Sequence, residues 1–552
     1  MHRVRSRTAA VCAGLLAVVP LVAAPGPALA ASGPAAAPDP SGSTTPGPDG
    51  TTPATTPPAT GTPVPRSTAS GTGPDLSRFY GQRLDWAPCE GAVPAAMRCA
   101  DLTVPLDYAD PAKGTTTVAV ARMPATGPGG AGGSVVLNFG GPGGPGVEIL
   151  GALSKRFADL NKTRDLVTFD PRGVGRSTPV TCGGSLEPAP ARDAAGQLAA
   201  LREVARRCAR ASGPVLPYVG TVHVARDLDV LRQALGRRTL DYLGFSYGTR
   251  LGAVYAAQFP RRTGRMVLDG VDTLTESLTE QALVSAQGQQ RAFDNFLTWC
   301  AHQRGCVYGT NTRTAKERAA ELVTRLDTEP LTGFDGTPFT GQDVVSAVSQ
   351  ALYSREAWPA LARGLALAEQ DGDPSGLLEL GGPVGPPEDE DPGADDSGEP
   401  VLVPADNEAA ALTAVNCADD PDRSAEGKDP EAVEREIEDL VAEFTAASRI
   451  FGPRQLMTVL ACYGRPAGTG FIRSIDHPGA PRMLLVGTRG DPATPYRWTE
   501  ETAARLGSAV VLDYKGDGHG AYLASPCVRG YVDAFLVDGR LPHGTRSCPA
   551  GE

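Results

Sequence analysis

Residues 239–258 constrain the chain most. A strand-like run, Thr239–Leu243, leads into Gly244-Phe245-Ser246-Tyr247-Gly248, and a helix-like run, Arg250–Gln258, follows at once. A backbone that passes from strand to helix in so few residues must turn sharply, and flanking glycines remove the Cβ atoms that would collide there. The middle residue is pushed outward, so Ser246 would stand with its hydroxyl exposed above the edge of a sheet. That placement suits a nucleophile.

The rest of the chain alternates strand and helix in the way such a turn requires. Short β-rich runs occur at Thr116–Arg122, Ser134–Phe139, Asp165–Phe169, Leu240–Leu243, Arg265–Leu268, Met483–Val486 and Val510–Tyr514. Several are continuously apolar, as parallel strands covered on both faces are. With 552 residues the chain can bury a large core in more than one domain. The expected fold class is α/β with a mostly parallel sheet. Its core would comprise residues 76–275 and 476–552. Between them, residues 276–475 read as a large, mainly helical cap inserted before the last two strands, with helices near Ala292–Cys300, Ala315–Leu326, Gly341–Ala351 and Pro430–Ser448. Within it, residues 371–399 hold ten acidic residues and no basic one. This stretch reads as a solvated loop, since its spacing does not match an EF-hand calcium loop.

The first 30 residues indicate the compartment. Arg3, Arg5 and Arg7 precede an apolar run, Ala9–Ala24, and Ala28-Leu29-Ala30 offers a small-x-small cleavage site. This is the three-part pattern of an export signal, and the run is too short for a membrane span. Residues 31–75 are almost wholly Pro, Thr, Ser, Gly and Ala, the composition of a linker. They would serve as a removable propeptide or as a spacer holding the protein off a cell wall. Ten cysteines remain beyond Cys12, an even number that suits disulfides in an exported chain. Pairing neighbours gives Cys89–Cys99, Cys182–Cys208, Cys300–Cys306, Cys417–Cys462 and Cys527–Cys548. No CxxC or HExxH motif supports a metal site. The net charge of −12 argues against nucleic acid as a partner.

Asn138-Phe139-Gly140-Gly141-Pro142-Gly143-Gly144-Pro145-Gly146 follows an early core strand. Gly141 to Gly146 matches the dinucleotide pattern G-x-G-x-x-G, but Pro142 and Pro145 remove amides that a phosphate cradle needs. A loop aiming a backbone N–H at a developing oxyanion fits better, with Gly141 and Tyr247 as the donor pair. A serine nucleophile also needs a base. Of six histidines, only His519, in Gly516-Asp517-Gly518-His519-Gly520, follows a late strand where a loop would carry it over the sheet. The supporting acid should leave the preceding strand, which singles out Asp491 in Asp491-Pro492-Ala493-Thr494-Pro495. Asp513 and Asp517 are rivals, and Asp491-Pro492 would equally open a helix. Asp170 and Arg172, in Asp170-Pro171-Arg172-Gly173-Val174-Gly175-Arg176-Ser177, read as braces of a tight turn.

Together these motifs resemble the secreted tripeptidyl aminopeptidases of actinomycetes, serine α/β-hydrolases related to the proline iminopeptidases. The resemblance covers about residues 76–552. It implies the α/β-hydrolase fold and a secreted serine exopeptidase, without a cofactor, that removes short peptides from free N-termini. Where the iminopeptidases carry His-Gly-Gly-Pro-Gly, this chain has Phe139 in the histidine position. A carboxylesterase with the same Ser-Asp-His set is the alternative, because such a set specifies acyl transfer and not the leaving group. A binding protein without activity is the third reading, and the intact set argues against it. An exopeptidase must pair its substrate's ammonium with a carboxylate. Asp419 resembles the acid after the cap cysteine of the family, with Asp420 second and Glu148 third, although an exposed helix-capping role for Asp419 is equally open.

Overall fold

The computed structural model describes residues 74–128, 132–191, 193–333, 336–381, 403–422, 430–543 and 546–551. The expected export signal, nearly all of the linker and most of the acidic stretch lie outside these residues. Twelve strands occur among those described: β1 (Ala87–Pro88), β2 (Arg98–Pro105), β3 (Thr115–Met123), β4 (Ser134–Asn138), β5 (Asp165–Phe169), β6 (Leu240–Phe245), β7 (Thr263–Asp269), β8 (Leu331–Thr332), β9 (Pro338–Phe339), β10 (Met483–Gly490), β11 (Ala509–Asp517) and β12 (Arg546–Cys548). Strands β8 and β9 pair with each other, and the other ten form one sheet of order β1-β2-β3-β5-β4-β6-β7-β10-β11-β12. Pairing is antiparallel from β1 through β3 to β5 and parallel from β5 to β12.

Side-chain alternation shows why the central strands are apolar throughout. Val136, Tyr242, Leu268 and Leu485 pack into the core on one face of the sheet. Their neighbours Leu137, Leu243, Val267 and Leu484 pack into the core on the other. A strand with both faces covered has no position for an exposed polar residue. From β4 the chain goes on to β5 on one side, whereas from β6 it goes on to β7 on the other. Loops therefore diverge above the C-terminal ends of β4 and β6, which leaves a crevice there.

All seven expected strands are present. The expectation missed β2, whose Cys99, Asp101 and Pro105 break the apolar pattern, and the short β12, so three strands rather than two follow the helical segment. That segment contains Leu278–Ala301, Thr312–Thr328, Gly341–Leu352, Trp358–Gln370, Ser375–Gly381, Asn407–Asp419, Pro430–Ala447 and Gly452–Leu460. Part of it packs around its own core of Phe296, Leu322, Trp358 and Leu361. Ser375–Gly381 corrects the reading of 371–399 as a solvated loop throughout, because Leu377 is fully buried in that core. Five disulfides join the cysteines in the neighbour pairs expected. No helix among the described residues is long and apolar enough to cross a membrane.

Candidate active site

Ser246 closes β6 and precedes helix Tyr247–Gln258, with φ 55° and ψ −126°. For a residue with a side chain this conformation costs about 1–3 kcal/mol, so the surroundings must enforce it. They do so by crowding. A Cβ on Gly244 would lie 2.4 Å from the Gly248 carbonyl oxygen, and one on Gly248 would lie 2.7 Å from both Asn138 oxygens. Each flanking glycine is therefore required. The Ser246 amide donates to the Asp269 carbonyl at 3.0 Å. The Ser246 carbonyl accepts from the Thr249 amide at 2.8 Å and from its hydroxyl at 2.6 Å.

The glycine-proline loop leaves β4 directly against this turn. Asn138 Oδ1 accepts from the Gly140 amide at 3.1 Å. A Cβ on Gly140 would stand 2.6 Å from the Phe245 carbonyl oxygen and 2.8 Å from Ser246 Cβ. The same Cβ would lie 3.3 Å from the amide nitrogen of Tyr247, the first residue of its helix, so the loop backbone at Gly140 stands against the Ser246 turn. Helix starts and open glycine turns leave N–H groups without internal partners, which suits them to an anionic oxygen. Phe139 is buried and stacks on Phe245, with ring centres 6.0 Å apart.

Asp491 follows β10, and His519 follows β11. Asp491 Oδ1 accepts from the Ala493 amide at 2.9 Å and the Thr494 amide at 2.8 Å, and Oδ2 accepts from the Thr494 hydroxyl at 3.0 Å. His519 Nδ1 lies 2.9 Å from Asp491 Oδ1 and 3.1 Å from Oδ2. The carboxylate's backbone partners hold it in place, and its buried charge fixes the ring with Nδ1–H toward it. The next helix begins at Tyr496 with Pro495 as its cap, so Asp491 does not cap that helix. Burial would lower the imidazole from its ordinary value of 6.5, but the charge and hydrogen bond of Asp491, with Asp269 and Asp272 behind, hold it above that value. The His519 side chain is 11% exposed. The Ser246 amide is hydrogen-bonded to the carbonyl of Asp269, and a Cβ on the next residue, Gly270, would lie 3.3 Å from His519 Cε1. Among the described residues no hydrogen bond joins Ser246 Oγ to the ring. Such bonds are often long without substrate and tighten on binding.

The rival acids are occupied elsewhere. Asp513 takes a two-pronged contact from Arg489 at 2.9 and 3.0 Å, and Asp517 accepts from Asn295 and Arg355. Asp170 accepts from the Val147 and Arg176 amides, and Arg172 is buried against Asp227 at 2.6 Å. Both are braces.

Asp419 and Asp420 are both buried. Asp419 Oδ1 accepts from the Thr221 amide at 2.9 Å, and Oδ2 accepts from the Thr221 hydroxyl and pairs with Arg250 at 3.5 Å. Its carboxylate is thus held against the first residue of helix Thr221–Ala234, and it is not exposed. Asp419 and Asp420 line a cavity of about 20 Å³ with Arg250, Glu276 and Asn416, and among the described residues Asp420 Oδ2 has no hydrogen-bond partner. That volume holds one group the size of a water molecule.

Asp269 was missed. It ends β7, and burial pushes its carboxyl up to about 6. It accepts from the Ala521 amide at 3.0 Å and the Tyr522 amide at 2.8 Å, which anchors the chain just after His519. The available signal was a lone acid closing the apolar run Met266–Leu268.

A mostly parallel sheet with a serine at a strained strand-to-helix turn, and an acid and a histidine on loops after two later strands, defines a serine hydrolase of the α/β-hydrolase fold. Residues 448–548 match the family model described as TAP-like protein. The chain is 33% identical over 497 residues to the serine protease Hip1 of Mycobacterium tuberculosis, covering 85% of this chain and 91% of that protein. It is 30% identical over 496 residues to a tripeptidyl aminopeptidase of Streptomyces lividans, covering 84% and 86%. To carboxylesterase B of M. tuberculosis it is 32% identical over 475 residues, covering 82% and 86%. The chain belongs to the tripeptidyl aminopeptidase family, and it is a serine peptidase of the α/β-hydrolase type.

Proposed function

We propose that this protein is a secreted exopeptidase that releases short peptides, tripeptides foremost, from free N-termini. Ser246 Oγ attacks the scissile carbonyl carbon while His519 Nε2 takes the hydroxyl proton. The carbonyl electron pair moves onto oxygen, and the Gly141 and Tyr247 amides bind that oxyanion. Collapse of the intermediate breaks the C–N bond, and the departing amine takes the proton from His519. Water then repeats the sequence and frees the peptide acid. Asp491 holds the ring in the required tautomer and stabilises the imidazolium. None of these steps needs a cofactor. The observation that supports this reading is the Asp491–His519 pair at 2.9 Å, with His519 beside Gly270, the residue after the Asp269 carbonyl that the Ser246 amide holds. Five disulfides favour an oxidising compartment, in line with an export signal at 1–30 and a linker or propeptide at 31–75. The core would then be 76–275 and 476–552, with 276–475 as the cap.

The likeness to carboxylesterase B favours one other activity, hydrolysis of short acyl esters by the same residues. Incubation with a peptide series, free or N-acetylated, followed by product masses separates the two. Tripeptides released only from free N-termini are expected. Equal cleavage of both series would overturn the exopeptidase reading, and turnover of esters alone would establish the esterase.

A further inference from the structure

The loop carrying His519 is gripped from two sides, and the histidine sits where the grips meet. On the sheet side, Asp269 holds Ala521 and Tyr522, and Asp491 accepts from the Gly520 amide at 3.3 Å. On the other side, the contacts come from the helical segment between β7 and β10. The His519 amide donates to the Tyr353 carbonyl at 2.9 Å. The Tyr353 ring meets the imidazole edge-to-face, with centres 4.9 Å apart and planes at 75°. Asp517, two residues before the histidine, accepts from Asn295 at 2.8 Å and pairs with Arg355 at 2.9 Å. Gly518 passes so close that a Cβ there would lie 2.9 Å from the Tyr353 carbonyl oxygen. Local preference does little to fix this stretch, since Gly518 and Gly520 both have positive φ, at 107° and 73°.

We propose that Tyr353 is a positioning residue for His519, and that the helical segment, through Tyr353 and the Asn295–Asp517–Arg355 contacts, holds the base in its working place. The proposal rests on His519 being the base. It makes the segment part of the machinery and more than a cover: a displacement that lifts Tyr353 off the loop also loosens the imidazole. The charged groups acting on the ring are Asp491, Asp269 and Asp272, all of which stay when Tyr353 is changed. Removing the tyrosine ring admits water to the imidazole, which relieves the burial that lowers its proton affinity.

The test is Tyr353→Ala in the full-length protein, assayed with a tripeptide p-nitroanilide bearing a free N-terminus and by the rate of Ser246 labelling with a fluorophosphonate. A small misplacement of a catalytic group should lower kcat and labelling about tenfold, with KM changed by no more than about twofold. The acid limb of kcat/KM should move to higher pH. Tyr353→Phe, which keeps the ring, should recover most of the rate, and an Asn295→Ala/Arg355→Ala variant should lose kcat in the same direction. Wild-type kcat and labelling with only KM raised would make Tyr353 a substrate contact and overturn the proposal. A loss of melting temperature in Tyr353→Ala with no change in kcat or pH profile would overturn it too. Ser246→Ala separates the two levels. If it stays active, the catalytic reading has failed; if it is inactive while Tyr353→Ala is normal, the positioning role alone has failed.

Discussion

Asp491 and Asp419 are both buried carboxylates that accept backbone and hydroxyl hydrogen bonds, at 4% and 7% exposure. They differ in the cation they face. Asp419 faces Arg250, which also pairs with Asp272 at 2.8 Å, and the result is an ion-pair network tying helix Asn407–Asp419 to helix Tyr247–Gln258. Asp491 faces an imidazole that can gain or lose a proton. A guanidinium stays protonated at any physiological pH, so a carboxylate spent on it can only hold structure. An imidazole lets the same buried charge steer a proton. Burial raises the Asp419 carboxyl from its ordinary value while Arg250 and Thr221 pull it back.

Breaking each site should separate these roles. Asp491→Asn is expected to lower kcat about 10³–10⁴-fold by favouring the wrong tautomer, with the melting temperature nearly unchanged. Steady-state kinetics beside a thermal melt checks this, and a large loss of stability would make Asp491 a structural residue like its counterpart. Asp419→Ala should do the reverse. Removing one partner of a buried ion pair costs about 3–5 kcal/mol, so denaturant unfolding should shift strongly while the folded fraction keeps kcat within a fewfold. A selective rise in KM for free-amine peptides, with stability intact, would restore Asp419 to substrate binding.

The smallest effect sharpens the contrast. Because Asp491 holds His519 above 6.5, kcat/KM should fall as pH drops through a value above 6.5, where the imidazole becomes protonated. In Asp491→Asn the largest raising influence is gone, leaving only Asp269 and Asp272 against burial, so the residual activity should show its acid limb at lower pH. A pH series on both proteins reads this directly. Coincident limbs would mean that the profile reports some other group.

The sheet and the Ser246 turn were legible because their causes are local. A strand covered on both faces must be apolar throughout, and a turn with no room for a Cβ must contain glycine. His519 and Asp491 followed from their places after late strands. The partners of Asp419 were not legible because they are remote: Arg250 lies 169 residues away and Thr221 lies 198 away. No local pattern distinguishes an acid that will face a guanidinium from one that will face open space. Asp269 was passed over for the same reason, since its ligands Ala521 and Tyr522 are 252 and 253 residues away. Helix Asn407–Asp419, likewise unanticipated, has too weak an amphipathic pattern to stand out, because it is buried along much of its surface.

By itself the sequence determined the α/β alternation and the residue types at the strand ends, set by periodicity and steric necessity over a few residues. Only the tertiary structure decided which of several acids meets the histidine, that Asp419 is consumed by Arg250, and that a tyrosine from the helical segment stands over the imidazole. Those outcomes depend on which side chains share a low-dielectric interior. A buried charge takes whichever partner the fold brings within about 3 Å, whatever its distance along the chain.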